Sequence, residues 1–187
     1  MRASALFMIF VAATPLLGLG SQTKTPTVTI TGGYETDPRD RGRPVVLIAA
    51  GLGVPSDVFR EAFSHVRPAP AGEAPDPEQV RRNKGELMSA LAKYGVSNES
   101  LDRVSNYYRY NRSRGEWWPY RAAKVEAIFS HGTVTGFKIV DPGAGYSSPP
   151  TITVAGSNVT TVVTLAFGRD LAKNGSIASI KIVSKCG

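Results

Sequence analysis

The sequence predicts an α+β protein, a small helical bundle of two helix hairpins followed by a meander of antiparallel β-hairpins. Three observations carry this reading. Between residues 43 and 115 apolar residues recur three and four apart, the spacing of one helix face. From residue 116 onward the period becomes two, in short β-branched runs bounded by turn residues. Each half also contains a short internal repeat.

The chain opens with Met1-Arg2, an apolar run from Ala5 to Leu17, and the small residues Gly18-Leu19-Gly20 before Ser21-Gln22. Charged start, apolar centre and small residues at the cleavage point are the three parts of a secretory signal peptide. The run is shorter than the roughly 20 apolar residues that span a bilayer. An uncleaved anchor or a buried N-terminal helix are the alternatives. No cysteine follows the run, so a lipoprotein anchor is not indicated, and no later segment is apolar enough to cross a membrane. The expected location is secreted, periplasmic or cell-surface.

Residues 21–42 read as an N-terminal strand and linker: Thr25 to Ile30 alternates with β-branched residues, Gly32-Gly33 ends the run, and Glu35 to Gly42 is an exposed polar stretch. The helical domain, 43–115, starts at Arg43-Pro44 with the apolar run Val45 to Leu52, broken at Gly53-Val54-Pro55. Ser56 caps a second helix carrying Val58, Phe59, Ala62, Phe63 and Val66. A Pro-rich loop runs from Pro68 to Pro77, and Asp76 caps a third helix with Pro77 in its first turn. That helix ends near Gly95, and Ser97 or Asn98 caps a fourth bearing Leu101, Val104, Tyr107 and Tyr108. The four helices form two similar pairs, each a helix, a Gly-Val hinge (Gly53-Val54, Gly95-Val96) and a capped helix. Chance convergence of amphipathic helices would give the same pattern. Two such hairpins can cover each other's apolar faces.

The β domain, 116–187, has strands expected at Val125–Ser130, Thr133–Val140, Pro150–Val154, Thr160–Phe167 and Ser176–Val183. Its repeat matches Val125–Phe129 plus Gly132–Val140 with Val163–Phe167 plus Gly175–Val183. Gly143 and Gly145 permit positive φ in a tight connection, Tyr146 can cover the turn, and Pro149-Pro150 enforces extended backbone into the next strand. The segment Pro142 to Val154 resembles the Gly-x-Gly-Tyr-x-x-Pro-Pro unit of phage tail and fibre proteins and of secreted bacterial β-repeat proteins. That resemblance covers roughly residues 123–183 and implies a β-module without catalytic residues. The helical half, with its run Val104 to Asn111, looks like part of a planctomycete-like family of exported bacterial proteins, and this implies no activity.

The formal charge of +7 falls to +6 with loss of Arg2, a balance compatible with anionic partners or with plain solubility. The best candidate surface is residues 103–124. Tyr107, Tyr108, Tyr110, Trp117, Trp118 and Tyr120 interleave there with Arg103, Arg109, Arg112, Arg114, Arg121 and Lys124, and only Glu116 opposes them. Aromatic faces beside guanidinium groups can stack on sugars and pair with phosphate, sulfate or uronate. Tyr107, Tyr110, Trp117, Trp118, Arg109, Arg112 and Arg114 are the candidate ligand contacts. The competing expectation is that these aromatics join the two halves while the arginines extend outward.

Catalytic constellations are poor. His65 sits at a helix end, and His131 precedes Gly132 in a hairpin loop; a His131–Asp141–Ser147 trio can be written, but nothing in the spacing requires it. No metal-ligand spacing occurs, and the Gly-x-Gly lacks the third glycine and following helix of a nucleotide loop. No metal or cofactor is expected. Cys186, the single cysteine, is either a free thiol or an intermolecular link that can support oligomerisation. Asn98, Asn111, Asn158 and Asn174 begin Asn-x-Ser/Thr triplets, of which Asn98 suits a helix cap and Asn174-Gly175 a turn. The expected function is that of an exported non-catalytic structural or surface-interaction protein. A polyanion- or carbohydrate-binding module is the alternative, and a small hydrolase is a distant third. Expected partners are envelope or extracellular polysaccharide or another exported protein, not nucleic acid.

Overall fold

The computed structural model describes residues 26–67, 76–111 and 114–183. The expected signal peptide (residues 1–20), residues 68–75 of the expected Pro-rich loop, Arg112 and Cys186 lie outside the described residues. The fold is α+β. Helices α1 (Val45–Leu52), α2 (Ser56–Ser64), α3 (Pro77–Leu91) and α4 (Asn98–Tyr107) follow a short strand β1 (Val28–Thr31) and precede β2 (Lys124–Ser130), β3 (Thr133–Asp141), β4 (Thr151–Val154), β5 (Thr160–Ala166) and β6 (Ser176–Val183).

Capping chemistry starts α3 and α4, whereas α2 begins after Pro55 with no side-chain cap, so Ser56 is its first helical residue and not its cap. The Asp76 carboxylate accepts from the Gln79 N–H at 2.9 Å, with Pro77 behind it, to start α3. Ser97, not Asn98, caps α4: its hydroxyl accepts from the Ser100 N–H, and the Ser100 hydroxyl accepts from the Ser97 N–H, a reciprocal box. The two hinges are built alike. Gly53 (φ 74°) and Gly95 (φ 79°) both take the left-handed conformation that closes a preceding helix, and the next residue, Val54 or Val96, turns inward and is buried. Helix α1 is apolar on every side because it is central. It packs on α2 and α4, and its Gly51 lies against Val104 and Leu171.

The strands pair two by two, as β1–β4, β2–β3 and β5–β6, all antiparallel. The β2–β3 turn places His131 (φ 47°) and Gly132 (φ 79°) in the left-handed region, the backbone of a tight two-residue hairpin. Both long hairpins carry a bulge at the same place. Ile128 opposes Gly136 while Phe129 opposes Val134, and Thr164 opposes Ser179 while Leu165 opposes Ile177. Thr135 and Ala178 are thus equivalent extra residues. This equivalence corrects the sequence alignment of the first arms: Ala127, not Val125, corresponds to Val163, and Phe129 corresponds to Leu165. A shift of two leaves every side chain on the same face, so periodicity alone does not reveal it.

Neighbouring strands follow the order β1–β4–β5–β6–β3–β2 and return to β1. Six strands therefore form a ring in which hydrogen-bonded ladders alternate with packed seams. Tyr146, Ile152, Val163 and Ile177 fill its centre, supported by Val28, Ile30, Phe137, Ile139, Leu165 and Ile180. Strand β1 belongs to this ring and not to a separate linker. The stretch expected to be an exposed linker, Glu35 to Gly42, is also structured. It forms a 3-10 turn at Pro38–Asp40, and the buried Asp40 carboxylate takes two hydrogen bonds from Arg60 at 2.7 and 3.0 Å.

Helices and ring meet at Asn174, which is 1% exposed. Its amide nitrogen donates to the Leu47 carbonyl of α1 (2.7 Å) and to the Tyr108 hydroxyl after α4 (2.9 Å). Its side-chain oxygen accepts from Gly168 N–H (3.1 Å), and its carbonyl accepts from Gly145 N–H (2.8 Å). A buried amide satisfied on every side is specific in shape and costly to disturb. Burial also pushes the Tyr108 phenol up to about 12. The expected outcome for Asn174→Ala is a loss of about 2–4 kcal/mol, measured by urea unfolding, because three partners become unsatisfied at once. For Tyr108 the sign is set by a folded pKa above the unfolded value of about 10. Its contribution is complete below pH 10 and is lost as pH rises toward 12, and Tyr108→Phe should remove that part of the alkaline limb of a stability–pH curve.

Candidate functional site

Residues 32–36 are stitched to residues 146–148. The Gly33 carbonyl accepts from the N–H groups of Ser147 (2.9 Å) and Ser148 (3.2 Å), and Ser147 Oγ donates to the Glu35 carbonyl (2.8 Å). Glu35 Oε2 accepts from Gly33 N–H (3.0 Å) and from the Ser148 hydroxyl. Gly33 sits at φ 91°, and a Cβ there would lie 2.5 Å from the Tyr146 ring. Both the backbone conformation and the close approach require glycine. This clasp holds Tyr34 stacked on Tyr146 at 5.2 Å, tilted against Tyr120 at 4.9 Å and edge-on to Trp117 at 6.3 Å.

Trp117 and Trp118 are separated by the alternation of extended backbone, which Pro119 favours at the preceding residue. Trp118 points inward, 2% exposed, and its Nε1–H donates to the Gly145 carbonyl at 2.9 Å. Trp117 points outward and is 55% exposed. Beneath them the Gly-x-Gly segment crosses the chain at Arg121, where Arg121 and Ala144 exchange two backbone hydrogen bonds of 3.0 and 2.9 Å. A Cβ on Gly143 would lie 2.6 Å from the Arg121 carbonyl oxygen, and one on Gly145 2.6 Å from that of Pro119. Both glycines have positive φ, so the motif serves a close backbone crossing. Tyr146 is a buried core residue whose hydroxyl accepts from Ala123 N–H at 2.9 Å, so it does more than cover a turn. Pro150 is buried and Pro149 exposed at the entry to β4.

Trp117, Trp118, Tyr34, Glu35, Thr36 and Gly42 line a cleft of about 360 Å³. Its aromatic walls form a continuous contact series, since Trp117 meets Trp118 at 5.3 Å and Trp118 meets Tyr110 at 5.5 Å. The Glu35 carboxyl is held below the usual range, chiefly by the Ser148 hydroxyl bond, so the rim carries a fixed negative charge at neutral pH. The Tyr34 phenol is raised, first by burial and then by Tyr146, and stays neutral.

The sequence-selected residues divide. Trp117 lines the cleft from outside, whereas Trp118 and the half-buried Tyr110, whose hydroxyl bonds the Gly42 carbonyl, join the two halves. Tyr107 packs edge-on against Tyr108 at 5.0 Å and is not part of the cleft lining. Arg109 and Arg114 are exposed, and neither lines the cleft. Arg121 pairs with Asp141 at 3.2 Å. Among the described residues, the cations placed over aromatic rings are Arg43 on Phe63 and Lys93 on Tyr94, not an arginine on Trp117. His131 and Asp141 sit at opposite ends of β3, roughly 30 Å apart at the usual rise per strand residue. The His131–Asp141–Ser147 trio is therefore not assembled. Sequence reasoning missed Tyr34 and Glu35, whose only signal was an aromatic directly after Gly32-Gly33.

Comparison with protein-family models, with curated proteins and with solved structures gives no match to this chain.

Glu35 offers a direct check of the clasp. Its folded pKa lies below the unfolded value of about 4.3, so its contribution is present above that value and is lost as pH falls through the folded pKa. Ser148→Ala should move the Glu35 titration upward toward the unfolded value, read by NMR of the side-chain carboxyl, and should shallow the acid limb of stability.

Proposed function

We propose that the mature chain is an exported, non-catalytic surface-interaction module that binds polysaccharide, with Trp117 and Tyr34 as its stacking platform. The observation that carries this reading is Trp117 itself. It is a large aromatic ring more than half exposed, yet fixed by ring contacts with Tyr34 and Trp118 at the wall of a cleft. An exposed apolar surface held rigid is a recognition feature, since little side-chain freedom is left to lose on binding. A sugar ring offers an apolar C–H face to such a platform by close packing. Its rim hydroxyls can donate to the ionised Glu35 carboxylate as charge-assisted hydrogen bonds. The signal-peptide pattern of residues 1–20 supports a setting outside the cytoplasm, where polysaccharide is abundant.

Two measurements test this reading. The mass of the protein recovered from the exported fraction of its host should correspond to a chain beginning near Ser21. In titration calorimetry with a neutral β-linked hexasaccharide, Trp117→Ala should weaken binding at least tenfold, about 1.4 kcal/mol, with no change in unfolding midpoint. Wild-type binding by Trp117→Ala, or no saccharide binding by the native chain, overturns the assignment.

A further inference from the structure

The loop between Thr36 and Val45 has a second cleft on its other side. Arg39, Asp40, Arg41, Arg43, Arg60 and Phe63 are among the residues lining a volume of about 270 Å³. Gly42, between two of those arginines, lines the Trp117 cleft, so one loop walls both. The four arginines are not equivalent. Arg60 is neutralised by Asp40 at 2.7 Å and Asp57 at 2.5 Å, and Arg39 by Asp37 at 2.6 Å. Arg41 and Arg43 make no ion pair among the described residues.

Their placement is fixed by the backbone. Arg41 terminates the 3-10 turn in the left-handed conformation (φ 52°), its N–H donating to the Pro38 carbonyl at 3.2 Å. An L side chain in that region is held there by its surroundings. Two residues later the Arg43 N–H donates to the Asp40 carbonyl at 3.0 Å, which keeps both arginines on the wall of one cleft. The Arg43 guanidinium lies 4.5 Å from the centre of the Phe63 ring and is partly buried. Burial lowers its affinity for its proton, and the nearby Asp40 carboxylate, already bonded to Arg60, offsets this only in part, while one Nη1–H reaches the Asp40 carbonyl at 3.5 Å. A planar guanidinium braced on an aromatic face presents its remaining N–H groups as a fixed fork, matched to the paired oxygens of a sulfate or carboxylate.

We propose that Arg41 and Arg43 form an oxyanion site that holds a sulfate or carboxylate substituent of an acidic polysaccharide while a neighbouring sugar ring occupies the Trp117 cleft. This rests on the saccharide reading of that cleft and adds the ligand's class: the chain recognises a charged polymer, through arginines outside the aromatic stretch 103–124. The shared loop makes the two contacts successive along one strand of polymer, so each strengthens the other by local concentration.

The test is titration of the full mature chain with a heparin-derived hexasaccharide, a hexagalacturonate, a neutral hexasaccharide and free sodium sulfate. At least one acidic hexamer should bind tenfold or more tightly than the neutral one, and its affinity should fall as salt rises. Arg43→Gln and Arg41→Gln should each remove tenfold or more of that preference and leave neutral-sugar binding unchanged, while Arg114→Gln should change neither. Arg41 is exposed, so Arg41→Gln keeps the test open if Arg43→Gln fails to fold. Equal binding of acidic and neutral hexamers, or acidic binding indifferent to both arginines, overturns the proposal. Free sulfate bound as tightly as the hexamers assigns the pair to a free oxyanion and overturns the polysaccharide assignment. Loss of neutral-sugar binding alone, with arginine-dependent acidic binding retained, removes the Trp117 reading and leaves the oxyanion site standing.

Discussion

The side chain of Asn174 is the constraint on which the rest of the structure depends. It is one amide, yet it touches α1 through Leu47, the end of α4 through Tyr108 and the β5–β6 loop through Gly168. Its backbone then takes the N–H of Gly145, and the Gly145 carbonyl takes the indole N–H of Trp118. The helical bundle, the Gly-x-Gly crossing and the buried tryptophan are thus linked in one continuous chain of hydrogen bonds. The position of Trp117 is set at the end of that chain, because the residue before a fixed, inward Trp118 in extended backbone has to face outward. An exposed platform is therefore a consequence of a buried network.

Glycine has the complementary role of allowing backbones to touch. A Cβ on Gly175 would lie 2.4 Å from the Tyr146 carbonyl oxygen and 2.6 Å from the Leu47 side chain, beside the Asn174 amide. Gly33 and Gly143 likewise lie against the Tyr146 ring, while Gly145 lies against the backbone of Pro119 and Tyr120. At Gly33, Gly143 and Gly175 the space a side chain would need is taken by Tyr146, which fills the ring centre and supports Tyr34 from below. Removal of that freedom would alter the core and the cleft together, since they share the same ring.

Much of the fold was legible in the sequence because it is written in local chemistry. Helix starts follow from Asp76-Pro77 and from Ser97, hinge positions from Gly53 and Gly95, and strand spans from period-two runs whose observed ends differ by a residue or two. What was not legible is long-range. Nothing in Thr25 to Ile30 announces that its partner lies at Thr151–Val154, and nothing in Glu35 to Gly42 announces that Asp40 is buried against Arg60. The candidate site was half legible for the same reason. Composition located Trp117 and Trp118 but does not tell which faces water; that is decided by Pro119 locally and Gly145 at a distance. Tyr34 and Glu35 came from a segment that reads as a linker until Ser147 and Ser148 close on it.

The pairing of β1 with β4 also governs the order of events when the chain folds. Val28 finds its partner in Val154, 126 positions later, while β2–β3 is closed by a two-residue turn and β5–β6 by the local loop between Ala166 and Ser176. Closing the longer loop costs more chain entropy and cannot begin until most of the polypeptide exists. The first strand to emerge therefore has no ladder partner until residues 151–154 have been made. A nascent chain can form both hairpins and the helix pairs, but the ring stays open, Tyr146 lacks its Tyr34 cover and the Trp117 cleft is incomplete. The cleft wall at Tyr34 and Glu35 is therefore completed from a distance, when residues 146–154 close on the N-terminal strand.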